Sequence, residues 1–116
     1  MNKRAGNYYI GLVAEYLAIL FYTLSGYWLL KHRFKTPLGE LDLIFIKGRQ
    51  LFCVEVKFRS GDYDDVLCTL HQQRRLVKAA EIFLLQNPKY RALSIQFDFI
   101  LIKPWHWPRK IANFIN

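Results

Sequence analysis

The stretch that decides the fold is Gly39-Glu40-Leu41-Asp42-Leu43-Ile44-Phe45-Ile46, followed after a short break by Leu51-Phe52-Cys53-Val54-Glu55-Val56-Lys57. Two apolar runs rich in β-branched and aromatic residues, separated by Lys47-Gly48-Arg49-Gln50, predict a β-hairpin whose turn uses the backbone freedom of glycine. The strands are interrupted by three charged residues: Asp42, Glu55 and Lys57. Because a buried carboxylate is costly unless it is paired, the pattern predicts that these side chains meet a partner.

The bulk composition indicates one basic domain. A chain of 116 residues can bury a single core without disulfides, so we treat residues 1–116 as one domain. Its 17 lysines and arginines exceed its 9 acidic residues, giving a net charge of +8. This excess favours a polyanion, nucleic acid before a membrane surface, as the partner.

The two cysteines and the first apolar segment bear on location. Cys53 falls in a predicted buried strand, and no Cys-X-X-Cys spacing is present, so we expect reduced thiols, a cytoplasmic location and no zinc site. The apolar segment 12–24 is too short for a bilayer, which needs roughly 20 residues, and no cleavage site for a signal peptide follows it. We therefore expect a buried helix there and no membrane association.

The remaining segments predict the order α-β-β-β-α-β. A first helix is expected over about 5–25, followed by a strand over 27–34 and then the hairpin. After the hairpin we expect a polar connection over 58–65, a second helix from Val66 or Leu70 to Gln86, and a last strand over 93–102. The second helix can cross over between two parallel strands, which gives an α/β fold with a mixed four-stranded sheet and a helix on each face.

Apolar spacing also predicts which faces of the two helices turn inward. In the first helix the residues predicted to face inward are Ile10, Val13, Ala14, Leu17, Leu20, Phe21 and Leu24. In the second helix they are Leu76, Ala79, Ala80, Phe83 and Leu84.

Strand geometry indicates what the charged residues can do together. Residues two apart share a face, so Glu55 and Lys57 point the same way, as do Glu40 and Asp42. If Asp42 lies beside Glu55, their oxygens suit Mg²⁺ or Mn²⁺, and the backbone carbonyl of Val56 could add a third ligand. Lys57 would then orient a water molecule or stabilise charge on a phosphate. A buried ion-pair network is the alternative interpretation of the same residues.

This arrangement resembles the restriction-endonuclease-like, or PD-(D/E)xK, nucleases, and its layout is similar to that of archaeal Holliday-junction resolvases. Nearly end to end, the chain resembles the small bacterial YraN family, most specifically over 39–44 and 52–57. The resemblance implies a three-layer α/β/α restriction-endonuclease-like core and a metal-dependent nuclease. It also implies Asp42 and Glu55 as metal ligands, Lys57 as the catalytic lysine, and Glu15 as a further catalytic and metal-binding residue.

DNA is the expected partner, and eight side chains are expected to contact it: Arg33, Lys35, Arg59, Gln72, Gln73, Arg74, Arg75 and Lys78. Gln72 stands at the start of the second helix, where the YraN family usually has a lysine. Because glutamine is neutral, the positive charge expected near the site is weaker. Two other functions stay open, a non-catalytic nucleic-acid-binding module and a protein-interaction module using the first helix and the tail. A homodimer is also left open.

Several residues fall outside this constellation. The scattered histidines are expected to have surface or local roles, and Asp98 is either a structural partner or a catalytic residue. We expect Trp105 and Trp107 to close the core as an aromatic clamp, although stacking on bases is an alternative.

Overall fold

The computed structural model describes residues 3–59 and 68–115, with side chains from residue 9 onward. Its elements are α1 (Lys3–Leu24), β1 (Trp28–Thr36), β2 (Gly39–Lys47), β3 (Gln50–Phe58), α2 (Leu70–Gln86), a 3-10 turn (Pro88–Tyr90), β4 (Ser94–Ile102) and β5 (Arg109–Ile111). The helix start at Leu70 is thus confirmed, whereas the alternative start at Val66 and most of the polar connection lie outside the described residues.

The strands form one mixed sheet in the order β1-β2-β3-β4-β5. β3 and β4 are parallel, as the crossover through α2 predicts, and the other neighbouring pairs are antiparallel. The prediction of four strands and the order αβββαβ is wrong, because the tail adds β5 beside β4. Three residues are too few to show the alternation by which a strand is predicted.

The β2–β3 hairpin sends alternate side chains to the two helices. Lys47 pairs with Gln50, so the turn is Gly48-Arg49, and Gly48 has a φ of 61°, which glycine adopts without strain. Ile44 belongs to the apolar cluster under α2, whereas Leu43 belongs to the cluster under α1. A helix therefore covers each face of the sheet, as predicted.

The inward face of α1 differs from the predicted one. The buried side chains of this helix include Ala14, Ala18 and Tyr22, whereas Leu20 is 54% exposed and Leu24 79% exposed. The small alanine side chains allow the helix backbone to lie close to the sheet, and the larger apolar side chains then face outward. In the part of the chain that the structure describes, no helix combines the length and apolar character needed to cross a membrane.

α2 packs as predicted and begins with a capping box. Leu76, Ala79, Ala80 and Phe83 are buried, and Leu84 packs partly against them. The Thr69 hydroxyl accepts from the Gln72 N–H at 3.1 Å, and the Gln72 side-chain oxygen accepts from the Thr69 N–H at 2.9 Å. This reciprocal pair satisfies backbone donors at the start of the helix.

Gly39, at the start of β2, lies directly against the backbone of α2. A Cβ atom at this position would overlap the carbonyl group of Arg75. Only glycine therefore allows the strand and the helix to approach this closely, and the contact sets the distance between the two elements that flank the candidate site.

The tail is fastened by Asp98, which is fully buried on β4. Its carboxylate accepts from the Tyr22 hydroxyl at 3.1 Å, the Gln96 side chain at 2.8 Å and the Asn113 N–H at 3.0 Å, and the Lys110 ammonium lies 3.9 Å away. These partners give Asp98 a structural role.

The predicted aromatic clamp is wrong. Trp105 and Trp107 are almost fully exposed and do not close the core. In the tail, Phe114 and Ile115 pack against the core under α2, and the ring centroid of Phe114 lies 4.1 Å from that of Phe99.

Candidate active site

Asp42 and Glu55 meet where β2 and β3 separate. The described ladder between the two strands ends at the pair Leu43–Val54, and beyond it side chains replace the backbone pairing. The Val56 N–H donates to Asp42 Oδ2 at 2.9 Å, and the Asp42 N–H donates to Glu55 Oε1 at 3.2 Å. Both carboxylates are half-buried. The structure therefore brings together the two side chains that strand parity predicts to be neighbours.

The pair lines a cavity of about 200 Å³ between the sheet and α2. Lys57 from β3, and Gln72 and Arg75 from α2, also line it. The walls also include four residues for which no site role is predicted from the sequence: Glu40, Cys68, Leu76 and Phe99. Glu40 shares the face of Asp42 and could have been proposed from strand parity. Cys68 and Phe99 come from segments whose sequence carries no corresponding signal.

Burial raises the pKa values of both carboxylates, and the charge of another carboxylate adds to the rise in each case. Burial raises the pKa of Asp42 by more than the hydrogen bond from Val56 lowers it, and the charge of Glu15 adds to the rise. Burial, and then the charge of Asp42, raise the pKa of Glu55 from an ordinary 4.5 to about 9, although nearby Lys57 opposes the rise. The raised pKa values therefore favour one proton on the pair as a whole at neutral pH.

This donor set fits a hard divalent cation. Carboxylate oxygens are the ligands that Mg²⁺ and Mn²⁺ prefer, and a cation would compensate the crowded negative charge that the raised pKa values reveal. Among the described residues, no group of three or more His, Cys, Asp or Glu side chains is arranged to hold a metal ion. Asp42 and Glu55 would thus need water or substrate oxygens as further ligands. A ligand role for the Val56 carbonyl stays a prediction.

Glu15 is engaged on the α1 side of the sheet rather than in the cavity. Its Oε1 accepts from Arg33 Nε at 3.1 Å, its Oε2 accepts from Arg33 Nη2 at 2.9 Å, and His32 Nε2 lies 2.9 Å from Oε1. Burial raises the pKa of Glu15, but these partners together lower it by more, so the net pKa is below the ordinary value. Its role as a metal ligand stays a prediction.

Arg33, which binds Glu15, has an unusual backbone conformation. It lies on β1 between the residues that pair with Leu43 and Leu41 of β2. Its φ of 57° lies in the left-handed region that residues other than glycine rarely adopt. No sequence pattern indicates this conformation, and none indicates the contact of His32 with Glu15.

The remaining side chains predicted to bind nucleic acid lie outside the cavity. Three are exposed: Lys35 on β1, and Arg74 and Lys78 on α2. Two donate to backbone carbonyl groups: Gln73 to that of Cys68 and Arg59 to that of Phe58. The structure thus brings Gln72 and Arg75 to the cavity and leaves the others on the surface around it or engaged elsewhere.

The fold and this cavity define a small mixed α/β protein with a carboxylate pair and a lysine at the point where two central strands separate. The chain belongs to the uncharacterised protein family UPF0102, whose profile matches residues 14–102. The match includes Asp42, Glu55 and Lys57. The predicted resemblance to one small bacterial family is thereby confirmed, while membership in the nuclease superfamily stays a prediction.

Several relatives share most of their length with this chain. A UPF0102 protein of Parvibaculum lavamentivorans is 45% identical over 107 residues, covering 91% of this chain and 80% of the relative. One from Chelativorans sp. is 40% identical over 113 residues, covering 96% and 90%. One from Bartonella tribocorum is 37% identical over 116 residues, covering 99% and 89%.

Proposed function

We propose that the chain is a Mg²⁺- or Mn²⁺-dependent endonuclease with a restriction-endonuclease-like core that hydrolyses DNA phosphodiester bonds, on branched or otherwise structured DNA. The observation that carries this proposal is the Asp42–Glu55 pair with Lys57 beside it in an open cavity. Two carboxylates that repel each other next to a lysine are typical of a site for a divalent cation and a phosphate.

Each side chain in the cavity has a chemical role in this proposal. Asp42 and Glu55 hold the cation, which, when bound, neutralises phosphate charge and acidifies water. Lys57 places positive charge where negative charge develops on the phosphate during hydrolysis. Arg75, which lines the cavity from α2, offers a planar guanidinium that can donate two parallel hydrogen bonds to phosphate oxygens.

The distribution of charge supports a polyanionic substrate. Most acidic side chains that the structure describes are buried or lie in the cavity: Glu15, Asp98, Asp42 and Glu55. Glu81 and Glu40 are exposed, and Glu81 lies 3.9 Å from Lys78 while Glu40 lines the cavity. Outside the cavity, the described surface is therefore dominated by lysine and arginine, which favours binding to a phosphate backbone.

The test is cleavage of a four-way junction, plasmid DNA and single-stranded DNA by the purified protein with Mg²⁺ or Mn²⁺. We expect cleavage that EDTA abolishes, and a loss of at least about 100-fold in Glu55→Gln and in Lys57→Ala. Glu81→Gln removes an exposed carboxylate outside the cavity and should leave the rate unchanged. Cleavage that persists in both cavity variants would contradict the proposed site.

One observation favours a second function, a non-catalytic nucleic-acid-binding module. The Gln72 side chain, which stands where a cation is expected from the family resemblance, is engaged in the capping box with Thr69. The cavity therefore has less positive charge than a lysine would supply. This alternative predicts that EDTA and Glu55→Gln leave DNA binding unchanged and that no cleavage occurs with either metal.

A further inference from the structure

The outer face of α1 is apolar and exposed over most of the helix length. Val13 is 58% exposed, Leu17 44% and Leu20 54%, in addition to Leu24. Between residues 9 and 24 the only charged residue is Glu15, which is buried on the opposite side. A monomeric protein rarely exposes a continuous apolar surface of this kind, so we expect this face of α1 to bind a partner.

A groove runs beside this face. It consists of two adjoining cavities of about 570 and 230 Å³, one towards each end of α1. Both are lined by Leu17 from the helix and by Phe58 and Ile102 from the ends of β3 and β4. Leu17 therefore marks the middle of a surface that offers both an apolar ridge, the helix, and an apolar groove next to it.

We infer that this face docks against the same face of a second copy of the chain. The ridge of one copy would fill the groove of the other, with the two α1 helices antiparallel and a two-fold axis close to Leu17. A two-fold interface requires a self-complementary patch, and a ridge that lies directly beside a groove meets that requirement.

The small number of charged side chains around the groove favours a second copy of the chain over a lipid surface or an acidic protein. An anionic lipid surface or an acidic protein would be recognised by several lysines or arginines among the apolar side chains. Among the described residues that line the two cavities, Lys103 and His106 are the basic ones, and no acidic one is present. Two chains of net charge +8 repel each other least where their surfaces carry few charges, and apolar, charge-depleted interfaces are typical of homodimers.

The proposed contact leaves the active-site cavity open. That cavity lies under α2, on the other face of the sheet, and none of its lining residues belongs to the groove. The dimer is therefore independent of the proposed nuclease function, and either can fail without the other.

The test is the mass of the full chain in solution by light scattering and sedimentation at micromolar concentration. We expect a dimer, with dissociation at least about 100-fold easier in Leu17→Glu because it brings two charges together at an apolar axis. Leu85→Glu is the matched control, because Leu85 is 80% exposed on α2 and lies outside the groove. A monomeric wild-type protein, or a Leu17→Glu variant that stays dimeric, would overturn the inference.

Disulfide crosslinking tests the placement of the axis without a destabilising charge. In a Cys68→Ser background, Leu17→Cys should crosslink to its own copy on oxidation, because a residue beside a two-fold axis lies next to its equivalent. Leu85→Cys in the same background should not. A dimer in which Leu17→Cys fails to crosslink contradicts the axis, and binding of a monomer to lipid vesicles contradicts the dimer itself.

Discussion

The raised pKa values of Asp42 and Glu55 favour one proton on this pair, at the point where β2 and β3 separate. The hydrogen bonds from Val56 and from the Asp42 backbone hold the two carboxylates in place, so they cannot move apart to relieve their repulsion. A proton on the pair relieves it at neutral pH, and a divalent cation would do the same with two charges. The site is thus arranged to exchange a proton for a metal ion.

Replacing Glu55 by glutamine should raise the melting temperature in a pH-dependent way. The pKa of Glu55 is about 9 in the folded chain and near 4.5 when unfolded, so the folded state keeps a proton that the unfolded state loses between these values. Wild-type stability therefore falls as pH rises through this window. Glutamine stays neutral, so the advantage of Glu55→Gln should be larger near pH 8 than near pH 5.

Thermal unfolding followed by circular dichroism at the two pH values measures this difference, with Glu81→Gln as the exposed control. Added Mn²⁺ should stabilise the wild-type protein, increasingly so at higher pH as the proton is lost, and should stabilise Glu55→Gln far less. An equal gain in melting temperature at both pH values would show that Glu55 does not carry the proton.

Strand parity was sufficient to predict the pairing of Asp42 with Glu55, because alternation along two neighbouring strands depends on local geometry alone. The surroundings of Glu15 could not be predicted in this way. They depend on the left-handed backbone of Arg33 and on an irregularity in β1 between Leu29 and Lys31. Neither departure follows a pattern of residue types along the strand, so neither could be predicted from the sequence.

Among the secondary-structure elements, α1 shows where apolar periodicity misleads. The pattern identifies a face of mostly large apolar residues and predicts that this face is buried. In the structure the sheet contacts the face that carries Ala14 and Ala18, where the backbone can come close, and the larger residues are left outside. Both sides of α1 are apolar, so a pattern of residue types alone cannot tell which one meets the sheet.

Substitutions of Gly39 and Gly11 by alanine should have opposite effects on the stability of the fold. Gly39→Ala should lower the free energy of unfolding by about 2 kcal/mol, because the added methyl group overlaps the Arg75 carbonyl and must displace the helix backbone. Gly11→Ala meets no atom within 4 Å and lies inside α1, so it should raise the free energy of unfolding by about 0.5 kcal/mol.

Urea unfolding of both variants measures these changes. Because Gly39 also sets the distance between β2 and the helix that carries Arg75, Gly39→Ala should reduce DNA cleavage by more than its effect on stability explains. Equal free energies of unfolding for Gly39→Ala and the wild-type chain would show that α2 does not rest on this glycine.

The topology of the molecule as a whole was largely predictable. The helix between the third and fourth strands implies the parallel pair β3–β4, and the hairpin implies its antiparallel neighbour. The tail was not predictable, because β5 has three residues and is recruited by contacts with β4 rather than by its own pattern.

The basic surface predicts strongly salt-dependent DNA binding. Each lysine or arginine that neutralises a phosphate releases counterions, so the logarithm of affinity should fall steeply with the logarithm of salt concentration. Arg74→Ala, on the exposed side of α2, should reduce this slope by about one unit. Fluorescence anisotropy over a salt series measures the slope.

Arg109→Ala is the control, because Arg109 lies on β5 at the far edge of the sheet, and it should leave the slope unchanged. Equal slopes for the wild-type chain, Arg74→Ala and Arg109→Ala would contradict a binding surface on α2.

The contacts of Asp98 also bear on how the chain responds to proteolysis. A cleavage before Arg109 would remove the Asn113 N–H and the Lys110 ammonium from a fully buried carboxylate, leaving it with Tyr22 and Gln96 as partners. A buried charge that loses partners is strongly destabilising. The tail is therefore a required part of the fold, and a chain cut before β5 should be less stable than the intact chain.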